Sequence, residues 1–453
     1  MSLQKNKITR TFSHPDEFYS ENIMTEYRQC IDEGLDAAPY KQLFEAVAAM
    51  PMSESREKAA DALFDIICEL PMREDYPFVE PSSLSEIKEN RASSVPEKGT
   101  PDKSTLEDKI RGAWYGRICG CFLGKPIEGI KTDELIPVLK STGNYPMHRY
   151  IERGELSDSL IGGLKFNLDH DKYCDLVTAA PSDDDTNYTV MYQELVKKYG
   201  RDFTPENVLD MWVSSQAKYA YFTAERTALI NNINGFEAPA SAMYKNPFRE
   251  WIGAQIRADY FGYINPGDPD GAADMAFRDA CVSHTKNGIY GEMYIAALLA
   301  LCAVESDLMT AIKDALKLVP QKSRFVKCVS AIIEKYENGT SEDECFAGIH
   351  TEWNEHEGYD WCHTLSNIQI VVASLLYGGG DYTKTICRAV QTCFDTDCNA
   401  ATAGSVLGML KGFSAIDEKW YAPFNGKLET QLFGVGTADI ESRVQRTMED
   451  IAL

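Results

Sequence analysis

Apolar residues recur at helical spacing through most of the chain. After Ser55, residues Ala60, Leu63, Phe64, Ile67 and Cys68 fall at i, i+3, i+4, i+7 and i+8, one face of a helix. Pro71 ends that face, because proline lacks the amide hydrogen and crowds the preceding turn. Thr204-Pro205 reads as a helix start, an N-cap followed by proline in the first turn, and Val208, Met211, Trp212 and Ser215 continue its buried side. Residues 288–304, 306–318 and 323–336 are rich in Ala, Leu and Ile at the same spacing. No series of alternating strands interrupts them, and no repeat of solenoid period stands out. The pattern predicts an all-α fold, a compact multi-helix bundle with a small helical N-terminal extension.

Composition divides the chain. Beyond Pro71 the sequence turns to Pro, Ser, Glu and Lys with few apolar residues, the signature of a linker. The expected organisation is a helical N-terminal module over 1–75, a linker over 76–104 and a main domain over 105–453. A length of 453 residues is ample for one large core plus an appended module.

Two segments of the main domain break the usual rule against glycine in helices. Gly112, Gly116, Gly120 and Gly124 recur every fourth residue, as do Ala400, Gly404, Gly408 and Gly412. Each helical glycine costs about 1 kcal/mol relative to alanine, so a stripe of four needs a packing reason. A membrane dimerisation stripe is the competing explanation, but the apolar runs are too short and Arg117 interrupts the first. Close helix–helix packing in a water-soluble core is the better reading.

The formal net charge of −24 argues against binding nucleic acid or an anionic membrane, both of which need a basic face. The residues after Met1 carry no apolar stretch typical of a secretory signal. Thirteen scattered cysteines without a CxxC pair suit free thiols in a reducing cytoplasm.

Candidate chemistry lies in clustered carboxylates. Asp183, Asp184 and Asp185 are adjacent and open an apparent helix; Asp395 and Asp397 stand just before the Ala/Gly helix, in an apolar context from Ile386 to Met409. Each cluster alone reads better as a solvated acidic cap at a helix N-terminus than as a metal site. Neither has Lys or Arg close by in its own segment, so bringing the five together demands cations. Oxygen donors select Mg²⁺, Mn²⁺ or Ca²⁺ over zinc, and five carboxylates exceed what one Mg²⁺ takes from protein; two ions are the economical expectation. Pro126 ends the first glycine helix and delivers Glu128 just beyond it, as a surface glutamate or as a group that orients water or binds metal. Asn287-Gly288 followed by Tyr290 and Gly291 marks a turn into a long apolar helix, whose N-terminus offers N–H groups to phosphate as any helix start does.

The glycine helix running into Leu123-Gly124-Lys125-Pro126-Ile127-Glu128, the Asp183–Thr186 run and Asp395-Thr396-Asp397 occur together in an order that resembles the ADP-ribosylglycohydrolase family, over roughly 105–415. The resemblance implies an all-α enzyme with two Mg²⁺ in a central cleft, Mn²⁺ being possible. By the motifs it implies Asp183, Asp184, Asp185, Asp395 and Asp397 as metal ligands, with Asp183 where many members have threonine. It implies Glu128 and Asp184 as catalytic groups, and Asn287, Gly288, Tyr290, Gly291 and His363 as substrate-binding residues, with Asn367 a further pocket candidate. The substrate it implies is an ADP-ribosylated protein or a small ADP-ribosyl conjugate. Cys121 departs from the family's aspartate and Cys398 from its threonine, and a neutral thiol is a poor Mg²⁺ ligand. Two other functions remain open: hydrolysis of a small ribosyl or phosphoribosyl conjugate, and a non-enzymatic crystallin-like or binding role.

Overall fold

The computed structural model describes residues 14–451. The N-terminal stretch, on which the expected lack of a secretory signal bears, lies largely outside the described residues. Helices dominate; among the described residues the one sheet is a short antiparallel hairpin, Lys427–Glu429 with Thr437–Asp439, in the register Leu428 opposite Ala438. The all-α expectation holds. No helix among the described residues is long and apolar enough to cross a membrane.

The early segment forms the helices Ile23–Asp32, Lys41–Ala48 and Glu54–Cys68 around a small core of their own. On the last of these Ala60, Leu63 and Ile67 are buried, while Phe64 is half-buried and Cys68 is exposed, so the apolar face is narrower than its periodicity suggests. The segment over 76–104 makes contacts with residues far along the chain. It contains a short helix, Leu84–Asn90, whose Ile87 is fully buried. Val79 N–H donates to the Lys322 carbonyl at 2.9 Å, Ala92 N–H to that of Lys317 at 3.0 Å, and Arg324 grips Glu80 at 2.8 Å. Proline and charge make this stretch read as a linker; within it Glu80, Lys88 and Arg91 form ion pairs with Arg324, Asp274 and Asp270.

The glycine stripes pack against each other. The helices Leu106–Gly124 and Thr396–Lys411 make the most extensive helix–helix contact among the described residues. A methyl group at Gly112, Gly116, Gly120, Gly404 or Gly408 would fall under 3.0 Å from the partner backbone. Bare glycine is therefore a steric requirement of this crossing, and the crossing brings the ends of the two helices together. The helix Pro205–Ser215 starts at Thr204 with a full capping box, as its sequence predicts.

Candidate metal centre

Three chain segments deliver carboxylates to one point. The hairpin pins the first: Ala180 exchanges backbone hydrogen bonds of 2.9 Å with Lys427 and Glu429. Three residues later Asp183 caps the helix Asp184–Tyr199, its Oδ1 accepting the Asp185 N–H at 2.9 Å. The second segment enters through Cys393 and Phe394, both left-handed with φ of 61° and 59°. Non-glycine residues pay about 1–3 kcal/mol each for that conformation, and it clusters at functional sites. The Trp361 indole fixes it by donating to the Phe394 carbonyl at 2.8 Å, and Asp395 and Asp397 follow at the start of the helix Thr396–Lys411. The third is the end of the first glycine helix, which contributes Cys121, Lys125 and Glu128; Thr396 Oγ1 donates to the Gly124 carbonyl at 3.0 Å and ties the second and third together.

The result is a ring of three overlapping triads: Cys121, Asp183 and Asp185; Asp185, Asp397 and Cys398; Glu128, Asp183 and Asp397. Within each, one donor atom per residue lies within 4.8 Å of the others, a spacing that a shared cation can bridge. Each pair of triads shares one aspartate. Asp184 and Asp395 stand outside the triads. Asp184 is half-buried beside its neighbours, and Asp395 is buried, with the Cys362 thiol 3.7 Å from its Oδ2. Glu128 is the exposed member of its triad.

Two cationic side chains also reach the cluster, which corrects the expectation that none does. Lys125 forms an ion pair with Asp183. Arg117, fully buried in the glycine helix, places Nη2 3.0 Å from Asp185 Oδ1 and Nη1 2.8 Å from Asp259 Oδ2. Both lie in the first glycine helix or just past it, far in sequence from either acidic motif, so inspection of the motifs' own neighbours misses them; the visible signal was an arginine inside a glycine stripe, where an unpaired charge is untenable.

Charge remains in excess. Burial opposes ionisation of Asp183, but Lys125 overcomes it and holds that carboxyl down at about 2. At Asp397 burial, then Glu128, Asp183 and Asp395, push the carboxyl well above the usual range. Asp185 is also raised, by burial first, in spite of Arg117. Asp185 Oδ2 and Asp395 Oδ1 are buried without a hydrogen-bond partner. Native structures leave few such atoms, and a bound cation satisfies them. The donors present therefore fit divalent cations.

The residues expected to bind substrate make hydrogen bonds and close contacts of their own. Asn287 Nδ2 donates to Glu250 at 2.8 Å and its Oδ1 accepts the Phe325 N–H at 3.0 Å. A side chain at Gly288 would meet the Arg249 carbonyl, and one at Gly291 would meet Thr364. The Tyr290 hydroxyl donates to the Pro81 carbonyl. His363 is fully buried, its Nδ1 accepting the Leu365 N–H at 3.1 Å and its ring stacked on Trp353. Asn367 is the candidate tied directly to the carboxylates: its Oδ1 accepts from Asp395 N–H at 3.3 Å and from Asn399 at 2.8 Å. Glu250, which Arg324 keeps charged against burial, is the hub that the sequence did not reveal.

The sequence model of the ADP-ribosylglycohydrolase family matches residues 102–450. The chain belongs to the ADP-ribosylglycohydrolase family. It is thereby a glycosidic hydrolase, and the match takes in both glycine helices and all six clustered carboxylates. A solved structure described as an ADP-ribosylglycohydrolase-related protein complex is similar to this glycohydrolase at 17% identity with a TM-score of 0.48, covering 77% of this chain and 99% of that one. No curated protein matches the glycohydrolase.

Proposed function

We propose that the chain removes ADP-ribose by hydrolysing an N- or O-glycosidic ADP-ribosyl linkage, with two divalent cations, Mg²⁺ or Mn²⁺, held by the ringed carboxylates. The observation that carries this reading is the ring itself: Asp183, Asp185, Asp397 and Glu128 meet in a family member, and Asp185 Oδ2 is buried there without a hydrogen-bond partner. Asp183, Asp185, Asp395 and Asp397 are the buried holders of the cations. Bound there, the cations supply fixed positive charge that orients ribose hydroxyls and acidifies water.

The remaining work falls to the rim. Asp184 is outside the triads and half-buried, and with cations offsetting its acidic neighbours it accepts a proton from water approaching the anomeric carbon. Glu128, exposed at the mouth, orients that water and gates access. As the glycosidic bond breaks the sugar gains oxocarbenium character, and the surrounding carboxylates stabilise the developing positive charge. The substrate is an ADP-ribosylated protein or a small ADP-ribosyl conjugate. All thirteen cysteines are free, which suits a reducing cytoplasm.

Product analysis tests the substrate. Incubation with an ADP-ribosyl-arginine conjugate and chromatography of the products is expected to show intact ADP-ribose. Turnover of a simple ribosyl or phosphoribosyl conjugate, with the ADP-ribosyl compound untouched, overturns the assignment.

A further inference from the structure

Two of the three triads contain a thiol, and no carboxylate motif requires one. Cys121 and Cys398 are buried, with 2% and 6% of their surface exposed. Cys121 Sγ shares its triad with Asp183 and Asp185, and Cys398 Sγ shares its own with Asp185 and Asp397. Among the described residues no other cysteine stands in such a triad, although thirteen are free. The backbone fixes both positions. Cys121 follows Gly120, whose bare Cα faces the Ala400 carbonyl, and Cys398 lies in the first turn of the facing helix. The two sulfurs thus flank Asp185, whose Oδ2 is buried and lacks a hydrogen-bond partner.

Sulfur changes which cation such a place prefers. Oxygen-only sites suit Mg²⁺ and Ca²⁺; thiolate donors favour softer transition-metal dications, in line with the rising affinity from Mn²⁺ through Co²⁺ toward Zn²⁺. We propose that Cys121 and Cys398 are metal ligands, making the centre a mixed sulfur–oxygen site for a transition-metal dication in preference to Mg²⁺. The proposal rests on the reading that the carboxylate ring binds cations. As each metal–sulfur bond forms, the thiol releases its proton to solvent; no electron is transferred and the metal keeps its charge.

The test uses CoCl₂ as probe on the metal-free full-length chain. Cobalt bound through thiolate gives an intense near-ultraviolet sulfur-to-metal charge-transfer band beside its weaker visible bands. The native protein is expected to show both. Cys121→Ser and Cys398→Ser should each lose part of the near-ultraviolet band, and the double variant all of it, while calorimetry still records Co²⁺ binding. Native protein that binds Co²⁺ without the near-ultraviolet band overturns the thiol assignment and leaves the carboxylate ring intact as a metal site. A band that persists in a folded double variant also overturns it. Absence of any calorimetric binding of Co²⁺, Mn²⁺ or Mg²⁺ to the native protein overturns the underlying metal reading instead. The native spectrum decides the first point even if a serine variant fails to fold.

Discussion

Arg117 Nη2 lies 3.0 Å from Asp185 Oδ1 in the floor of the carboxylate ring, with no part of the arginine exposed. The same guanidinium reaches Asp259 Oδ2 at 2.8 Å and Thr189 Oγ1 at 2.9 Å, so one cation fastens the glycine helix to two other segments. Removing it strands two buried carboxylates, at a cost of about 3–5 kcal/mol. Arg117→Met is expected to lower unfolding stability by that order. Arg117→Lys recovers only part, since a single ammonium cannot span the fork. Equilibrium urea unfolding checks this; an Arg117→Lys protein as stable as the native one contradicts it.

Gly116 and Gly404 oppose each other across the helix crossing. Alanine is the better helix former by about 1 kcal/mol, so propensity alone predicts that Gly116→Ala stabilises. The added methyl would meet the Gly404 carbonyl far inside van der Waals contact. Steric cost wins, and Gly116→Ala is expected to destabilise by about 1–3 kcal/mol. Thermal unfolding of the variant decides the sign.

Lys125 neutralises Asp183 in the absence of a cation. Lys125→Met therefore removes a positive charge from a site meant for a dication. Divalent binding should tighten by about tenfold or more, equivalent to about 1.4 kcal/mol, as measured by titration calorimetry. Weaker binding would show that Lys125 supports the site rather than competing for it.

His363 is held neutral. Burial pushes its imidazole down to about 3, although Glu250 pulls the other way, while an unfolded imidazole titrates at about 6.5. Between those values the unfolded chain takes up a proton that the folded chain refuses. The stability present above about pH 6.5 is thus lost as pH falls toward 3, by up to about 1.4 kcal/mol per pH unit. His284 is depressed in the same sense. His363→Asn keeps an acceptor for the Leu365 N–H and should flatten this part of the profile. Denaturant midpoints measured from about pH 7.5 down to 4.5 test it; parallel curves for the two proteins contradict it.

The helical architecture was legible because its two strongest signals are local. Thr204-Pro205 starts a helix by capping chemistry, and a glycine every fourth residue announces a close crossing whatever the partner. The carboxylate ring was legible as composition, from Asp183–Asp185 and Asp395-Thr396-Asp397, but its membership was not. Donor spacing divides those five, leaving Asp184 and Asp395 outside the triads and bringing Glu128 in. Lys125 and Arg117 escaped because their partnership is tertiary. The polar segment over 76–104 looked free for the same reason: Glu80 pairs with Arg324, far away in sequence. Asn287 reads as a turn residue; that its amide is committed to Glu250 and Phe325 depends on a hub with no sequence signature.

The most direct measurement is hydrolysis of an ADP-ribosyl-arginine substrate by native protein and by Asp397→Ala, after chelation and after Mg²⁺ or Mn²⁺ is restored. The account predicts release of ADP-ribose by the native protein with either cation, none after chelation, and none by Asp397→Ala, whose helical circular dichroism stays native. Full release by the chelated protein, or by Asp397→Ala, would contradict it.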